Sequence, residues 1–167
     1  MNFDTISNQT RNNQEIGQVI EAFSTVKELS LTALHDNQFF NIEKIAQLKE
    51  LTHLHIYIKR QIKMPGFQNL KNLKSLVLHN QIDSATGKIL NSCKDLRYLS
   101  LYSCSLGFET GKKLSELKQL TTLNLNECRR YFKIGEWLKN CQSLQHLKIS
   151  YVDIDSQLLK KIQSLKI

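Results

Sequence analysis

The sequence repeats one apolar pattern six times at almost constant spacing. Each copy follows the frame L-x-x-L-x-L, with Ile or Val at some of the leucine positions. The copies begin at Val26, Leu51, Leu73, Leu96, Leu120 and Leu144. Successive starts lie 25, 22, 23, 24 and 24 residues apart. A period of this length is typical of a solenoid, because each copy is a small unit that can bury its apolar side only against its neighbours.

Three further columns upstream of the frame have the same period. Every residue three or six positions before a start is apolar: Phe23, Leu48, Leu70, Cys93, Leu117 and Cys141, then Ile20, Ile45, Phe67, Leu90, Leu114 and Leu138. Nine positions before a start, four of the six residues are glycine, namely Gly17, Gly87, Gly111 and Gly135. Glycine costs a helix about 1 kcal/mol relative to alanine. We therefore expect a strand and a helix in each unit, with glycine letting the helix pack close to the strand layer.

The length and composition fit a single repeat domain. The chain has 167 residues, of which 41% are hydrophobic and one is proline, which is enough for a continuous core. We predict a polar tail or cap at residues 1–13 and one repeat domain at residues 14–167. No apolar run reaches about 18 residues, and the N-terminus lacks the pattern of a secretory signal. The prediction is a cytoplasmic protein, or one delivered into a host cytosol without a classical signal peptide.

The four cysteines sort by their positions in the repeat. Cys93 and Cys141 share one column two repeats apart, about 10 Å, which is beyond the reach of a disulfide. Cys104 and Cys128 share the turn column of adjacent repeats. We predict four buried, reduced thiols, with a Cys104–Cys128 disulfide as the alternative. Neither C-x-x-C nor C-x-x-H occurs, so no zinc site and no cofactor is predicted.

The sequence argues against an enzyme. It contains no Ser-His-Asp arrangement, no P-loop and no glycine-rich phosphate loop. His53, His55 and His79 could meet on one face of the predicted sheet, but their spacing is nonspecific and no carboxylate column completes a metal site. We predict neither catalytic nor metal-binding residues.

From about residue 15 onward the chain resembles the leucine-rich repeat family. The units at residues 93–106 and 141–154 are similar to the cysteine-containing and ribonuclease-inhibitor-like subclasses, in which a cysteine precedes the strand and Cys or Asn closes the turn. The turn position departs from this pattern at Leu34, Lys59 and Val152. The resemblance implies an α/β fold: a right-handed horseshoe of about six repeats, with a parallel sheet on the concave face and helices on the convex face. It also implies a binding role.

The frame predicts which side chains project from the concave face, because neighbouring residues of a strand point to opposite sides. The second, third, fifth, seventh and eighth frame positions, thirty in all, include four of the five tyrosines, four of the five histidines and none of the seven phenylalanines. Tyr and His combine an apolar body with a polar tip, which suits a recognition surface. The predicted partner-binding residues are Tyr57, His79, Tyr102 and Asn126 in the seventh column, flanked by His55, Tyr98, Arg97 and Lys148.

The formal charge of +8 raises the alternative of polyanion or nucleic-acid binding. The thirty concave positions contain four basic and two acidic residues, so most of the excess lies on predicted helices and loops. We therefore favour a non-catalytic module or adaptor that binds another protein. The richness in Asn, Lys and Ile suggests an AT-rich genome and, more narrowly, a host-directed bacterial effector or a protist adaptor.

Overall fold

Six parallel strands form one sheet in the order of the sequence. The computed structural model describes residues 25–33, 42–58, 66–80, 83–128, 134–151 and 156–164. The strands are β1 (Glu28–Ala33), β2 (His53–Ile58), β3 (Ser75–His79), β4 (Tyr98–Tyr102), β5 (Thr122–Asn126) and β6 (His146–Ser150). Each begins two residues after a frame start. The predicted α/β fold, with one parallel sheet of six strands and helices between them, is therefore confirmed.

The helices lie between consecutive strands. They are α1 (Ile42–Ile45), α2 (Asp83–Ser92), α3 (Phe108–Leu114), α4 (Ile134–Leu138) and, after β6, α5 (Ser156–Ser164). Among the described residues between β2 and β3, a 3-10 turn lies at Phe67–Asn69. No helix of the described residues is long and apolar enough to cross a membrane. The predicted tail at 1–13, Gly17 and the turn positions Leu34, Lys59 and Val152 lie outside the described residues.

The strand register follows the frame. Leu99 pairs with Leu76 on one side and Leu123 on the other, and Leu101 and Leu125 pair in the next row. All five of these leucines are fully buried. The helix columns are buried with them: Ile45, Leu48, Phe67, Leu70, Leu90, Cys93, Leu114, Leu117, Leu138 and Cys141 belong to the same core. One apolar layer therefore joins the sheet to the helices.

Two glycines of this column, Gly87 and Gly111, lie at contacts between neighbouring helices, which corrects the prediction that they pack close against the strand layer. A Cβ atom on Gly111 of α3 would overlap the indole ring of Trp137 on α4. A Cβ atom on Gly87 of α2 would come within 2.9 Å of the Cβ atom of Glu109 on α3. The missing side chains therefore set how closely neighbouring helices approach.

The four cysteines are buried, as predicted, and none forms a disulfide. Their thiols hydrogen-bond to backbone carbonyl groups. Cys104 Sγ donates to Leu78 O at 3.6 Å, and Cys128 Sγ donates to Leu101 O at 3.3 Å. Burial raises the pKa of Cys93 to about 12 and that of Cys128 to about 11. These thiols therefore remain protonated at neutral pH and link each repeat to the one before it.

The eighth frame position corrects the concave-face prediction. Ile58 at this position in the second unit is buried. In the four following units the residue has a left-handed backbone: Asn80, Ser103, Glu127 and Tyr151 have φ of 55°, 50°, 53° and 58°. This conformation turns the chain out of the strand, and the N–H of Ser103 donates to Asn126 O at 2.8 Å. In these four units the eighth position is therefore a turn position and not part of the sheet surface, whereas in the first two units it is the last residue of a strand.

Candidate partner-binding surface

The side of the sheet opposite the leucine rows, here called the open face, carries the candidate site. It is formed by the third, fifth and seventh frame positions. The register aligns the residues of the seventh column side by side across the sheet: Thr32, Tyr57, His79, Tyr102, Asn126 and Ser150. The sequence prediction placed four of these residues in one stripe, and the register brings them together.

Three aromatic side chains of this column touch each other. The His79 ring stacks on the Tyr102 ring, with centroids 4.5 Å apart and planes 7° apart. On its other side His79 meets Tyr57 edge to face at 4.4 Å. These spacings are those of favourable aromatic pairs. We call Tyr57, His79 and Tyr102 the aromatic stripe. It lies near the C-terminal ends of β2, β3 and β4, and Tyr57 is 36% exposed.

His55 and His79, in the middle of the open face, are neutral at physiological pH. His55 stacks on His79 with centroids 5.6 Å apart. Burial lowers the pKa of His79 to about 4, with a further contribution from the nearby His55, and burial also lowers the pKa of His55. The stripe therefore presents rings without charge at pH 7.

The centre of the open face contains polar groups that are covered by their neighbours. Ser100 is fully buried although it faces away from the leucine rows. Its Oγ atom and the Nε2 atom of His55 are buried and have no hydrogen-bond partner in the described part of the chain. Tyr98 is half-buried, and its hydroxyl accepts a hydrogen bond of 2.9 Å from Asn124 Nδ2. Side chains in the middle of the face therefore hold one another in place.

The two predicted cations lie away from the aromatic stripe. Lys148 is exposed on β6 and pairs in register with Asn124, two strands from β4. Arg97 is exposed just before β4, five residues from Tyr102, or about 16 Å along an extended strand. Both border the open face, and their role in binding stays a prediction.

A shallow depression near β1 to β3 was not predicted. It has a volume of about 130 Å³ and is lined by Glu28, Leu29, Ser30, His53, Leu54, His55, Ser75 and Val77. Glu28 Oε1 lies 3.5 Å from His53 Nδ1 at its rim. The third-column pairing of Glu28 with His53 could have indicated this contact from the frame alone. No group of three or more potential metal ligands occurs among the described residues.

Comparisons with known proteins give little. No protein-family model and no curated protein matches the sequence. Among solved structures, the chain is similar to an internalin from Listeria monocytogenes, with 14% identity and a TM-score of 0.41. The alignment covers 88% of this chain and 54% of the internalin chain. The strand order and register of this chain itself therefore define its fold.

Proposed function

We propose that this protein is a non-catalytic recognition module that binds another protein on its open face, centred on the aromatic stripe. The observation that carries the proposal is the continuous contact of Tyr57, His79 and Tyr102 across three adjacent strands. Aromatic residues at the centre of an interface often contribute 2 kcal/mol or more each.

The sheet preorganises the aromatic stripe for binding. Its three residues belong to strands whose backbones are held on both sides by neighbouring strands. The rings also pack against each other, so little side-chain freedom is left to lose on binding. Asn126 and Tyr98, and Lys148 farther across the open face, supply polar groups of the kind found at the rim of an interface.

We further propose that the chain is a member of the leucine-rich repeat family, in the cysteine-containing subclass. The support is that Cys93 and Cys141 precede strands while Cys104 and Cys128 close turns, where their thiols bond to the backbone. Buried thiols that form no disulfide fit a reducing compartment such as the cytoplasm. An adaptor or a host-directed effector is the narrower proposal, and it is supported only by the composition.

The test compares partner capture by the wild-type protein and by a Tyr57→Ala/Tyr102→Ala variant. Both proteins are immobilised, exposed to lysate, and the bound proteins are quantified by mass spectrometry. We expect a specific protein to bind the wild type and to be lost from the double variant, while the melting temperature changes little.

Phe108→Ala is the matched control, because Phe108 is an aromatic residue of α3, outside the sheet, and is 72% exposed. It should keep the partner. If Phe108→Ala loses the partner and the tyrosine variant retains it, the binding site is on the helices and the proposal is wrong.

A further inference from the structure

A column of lysines runs along the edge of the solenoid where the chain enters the strands. Two residues before the frame start, four successive repeats carry Lys49, Lys71, Lys94 and Lys118, all exposed. We call these four residues the lysine ladder. The lysine ladder belongs neither to the aromatic stripe nor to the open face.

The ladder lysines occupy the same turn in each of these four repeats. Each backbone N–H donates to the carbonyl oxygen two residues earlier, at 2.9 Å for Lys49 and Lys71, 3.1 Å for Lys94 and 3.0 Å for Lys118. Adjacent turns are in contact, since Asn72 Nδ2 donates to Lys49 O at 2.7 Å. Strands in a sheet are about 4.8 Å apart, so the backbones of ladder lysines in neighbouring repeats have a similar separation. The ladder is therefore a row of like charges with a fixed geometry.

A second basic column lies beside the ladder. Lys27, Lys74 and Arg97 are exposed at the second frame position, three residues beyond the ladder column. These residues lie between the ladder and the third-column residues of the open face. The basic region is thus continuous with the surface that we propose binds a protein.

Most of the ladder charge is not neutralised within the protein. Lys94 Nζ lies 3.0 Å from Glu116 Oε2, and hydrogen bonds from Lys94 and Lys113 lower the pKa of Glu116. Within the described ranges, no ion pair holds Lys49, Lys71 or Lys118. Like charges along a row repel each other, and an external anionic surface would relieve that repulsion.

We propose that an acidic segment of the protein partner lies along the lysine ladder while the rest of the partner covers the open face. This inference rests on the proposed function and adds the charge and orientation of the partner. Charge complementarity at the rim of an interface mainly sets orientation and association rate.

A protein segment fits this edge better than a nucleic acid. No aromatic residue occupies the ladder column or the column that follows it, so nothing there can stack on bases. The following column also places Glu50 and Asp95 between the lysines, where they would repel a continuous phosphate chain. An acidic peptide can place its carboxylates selectively opposite the lysines.

The test measures binding of a fluorescent poly-L-glutamate peptide and of a single-stranded oligo-dT of equal charge by anisotropy at low salt. The ladder variant is Lys49→Gln/Lys71→Gln/Lys118→Gln. The control variant is Lys112→Gln/Lys139→Gln/Lys160→Gln, which removes three exposed lysines from helices and their flanking turns. Both variants change the net charge from +8 to +5, that is 8 − 3. Circular dichroism melting checks that both are folded.

The ladder variant should bind poly-L-glutamate about tenfold more weakly, from three exposed contacts of modest strength, and the control should change less than about twofold. A Lys→Arg triple variant at the ladder positions should restore binding. Equal weakening in both variants, or absence of binding by the wild type, would overturn the proposal. Tighter binding of oligo-dT than of poly-L-glutamate, lost in the ladder variant, would replace it with nucleic-acid binding.

Failure of this inference is distinguishable from failure of the proposed function. The Tyr57→Ala/Tyr102→Ala variant leaves the ladder intact, so it should bind poly-L-glutamate like the wild type. Loss of poly-L-glutamate binding in that variant would overturn the assignment of the acidic segment to the ladder, whatever the outcome of partner capture.

Discussion

The two faces of the same strands obey different rules. In β3, β4 and β5 the inner positions are leucine in every repeat, and all are fully buried. The open-face positions of the same strands change from repeat to repeat, for example from His79 to Tyr102 to Asn126. An inner residue meets an equivalent residue above and below it, so packing favours the same side chain each time. An open-face residue is not restricted to one side chain by packing, so its identity can differ between repeats to suit a binding partner.

The end of the sheet shows that burial depends on neighbours as well as on residue type. Leu147 and Ile149 of β6 continue the inner rows, yet both are only partly buried. In the described part of the chain, β6 pairs with β5 on one side alone. A residue at the same inner position is therefore less buried, and contributes less to stability, at this end of the sheet than in the middle.

The largest expected difference between the faces is in stability. Replacing Leu123 by Ala should lower the free energy of unfolding by about 2–5 kcal/mol, because it leaves a cavity in the fully buried row. Replacing the neighbouring Thr122 by Ala on the open face should cost less than about 1 kcal/mol. Urea unfolding of both variants measures the difference.

Leu147→Ala makes the same chemical change at the end of the sheet, where the residue is only half-buried. It should cost about 1–2 kcal/mol, between the other two variants. A cost for Leu147→Ala as large as that for Leu123→Ala would show that β6 is covered in solution by something beyond the described residues.

A smaller effect is expected where the helices meet. Gly111→Ala should destabilise the protein by about 1–3 kcal/mol, because the new methyl group overlaps the Trp137 ring. In a Trp137→Ala background the same substitution should cost much less, since the obstructing ring is gone. Thermal unfolding of the four proteins in this double-mutant cycle measures the coupling. Equal costs in both backgrounds would contradict the proposed role of this contact.

The smallest expected effect is a pH dependence from the aromatic stripe. The pKa of His79 is about 4 in the folded protein and 6.5 as the unperturbed value. Between these values the unfolded chain binds more protons, so this histidine lowers stability as the pH falls from about 6.5 towards 4. We expect the melting temperature of the wild type to decrease more than that of a His79→Gln variant between pH 8 and pH 5.

His146→Gln, a change at an exposed histidine of the third column on β6, is the control. It should follow the wild-type melting curve. If His79→Gln and the wild type lose stability in parallel, His79 is not desolvated in the stripe.

The sequence was sufficient to predict the rows of the core. The period and frame predicted a strand and a helix in each unit and the alignment of Tyr57, His79 and Tyr102 in one column, and the resemblance implied that the strands are parallel. These succeed because strand alternation and stacking of repeats convert a linear period directly into neighbouring positions. The frame did not predict that Ser100 is buried on the open face or that Ile58 faces inward.

The sequence by itself determined the identity of the columns, including the lysine ladder that recurs two residues before four frame starts. Only the tertiary structure decided what each column touches: that Gly111 accommodates Trp137, that the eighth position turns left-handed, and that His79 is held between two tyrosines. Period specifies which residues are stacked, since backbone hydrogen bonds fix the register. Contacts between side chains depend on their sizes, orientations and solvent exposure, which are set only when neighbouring repeats pack together.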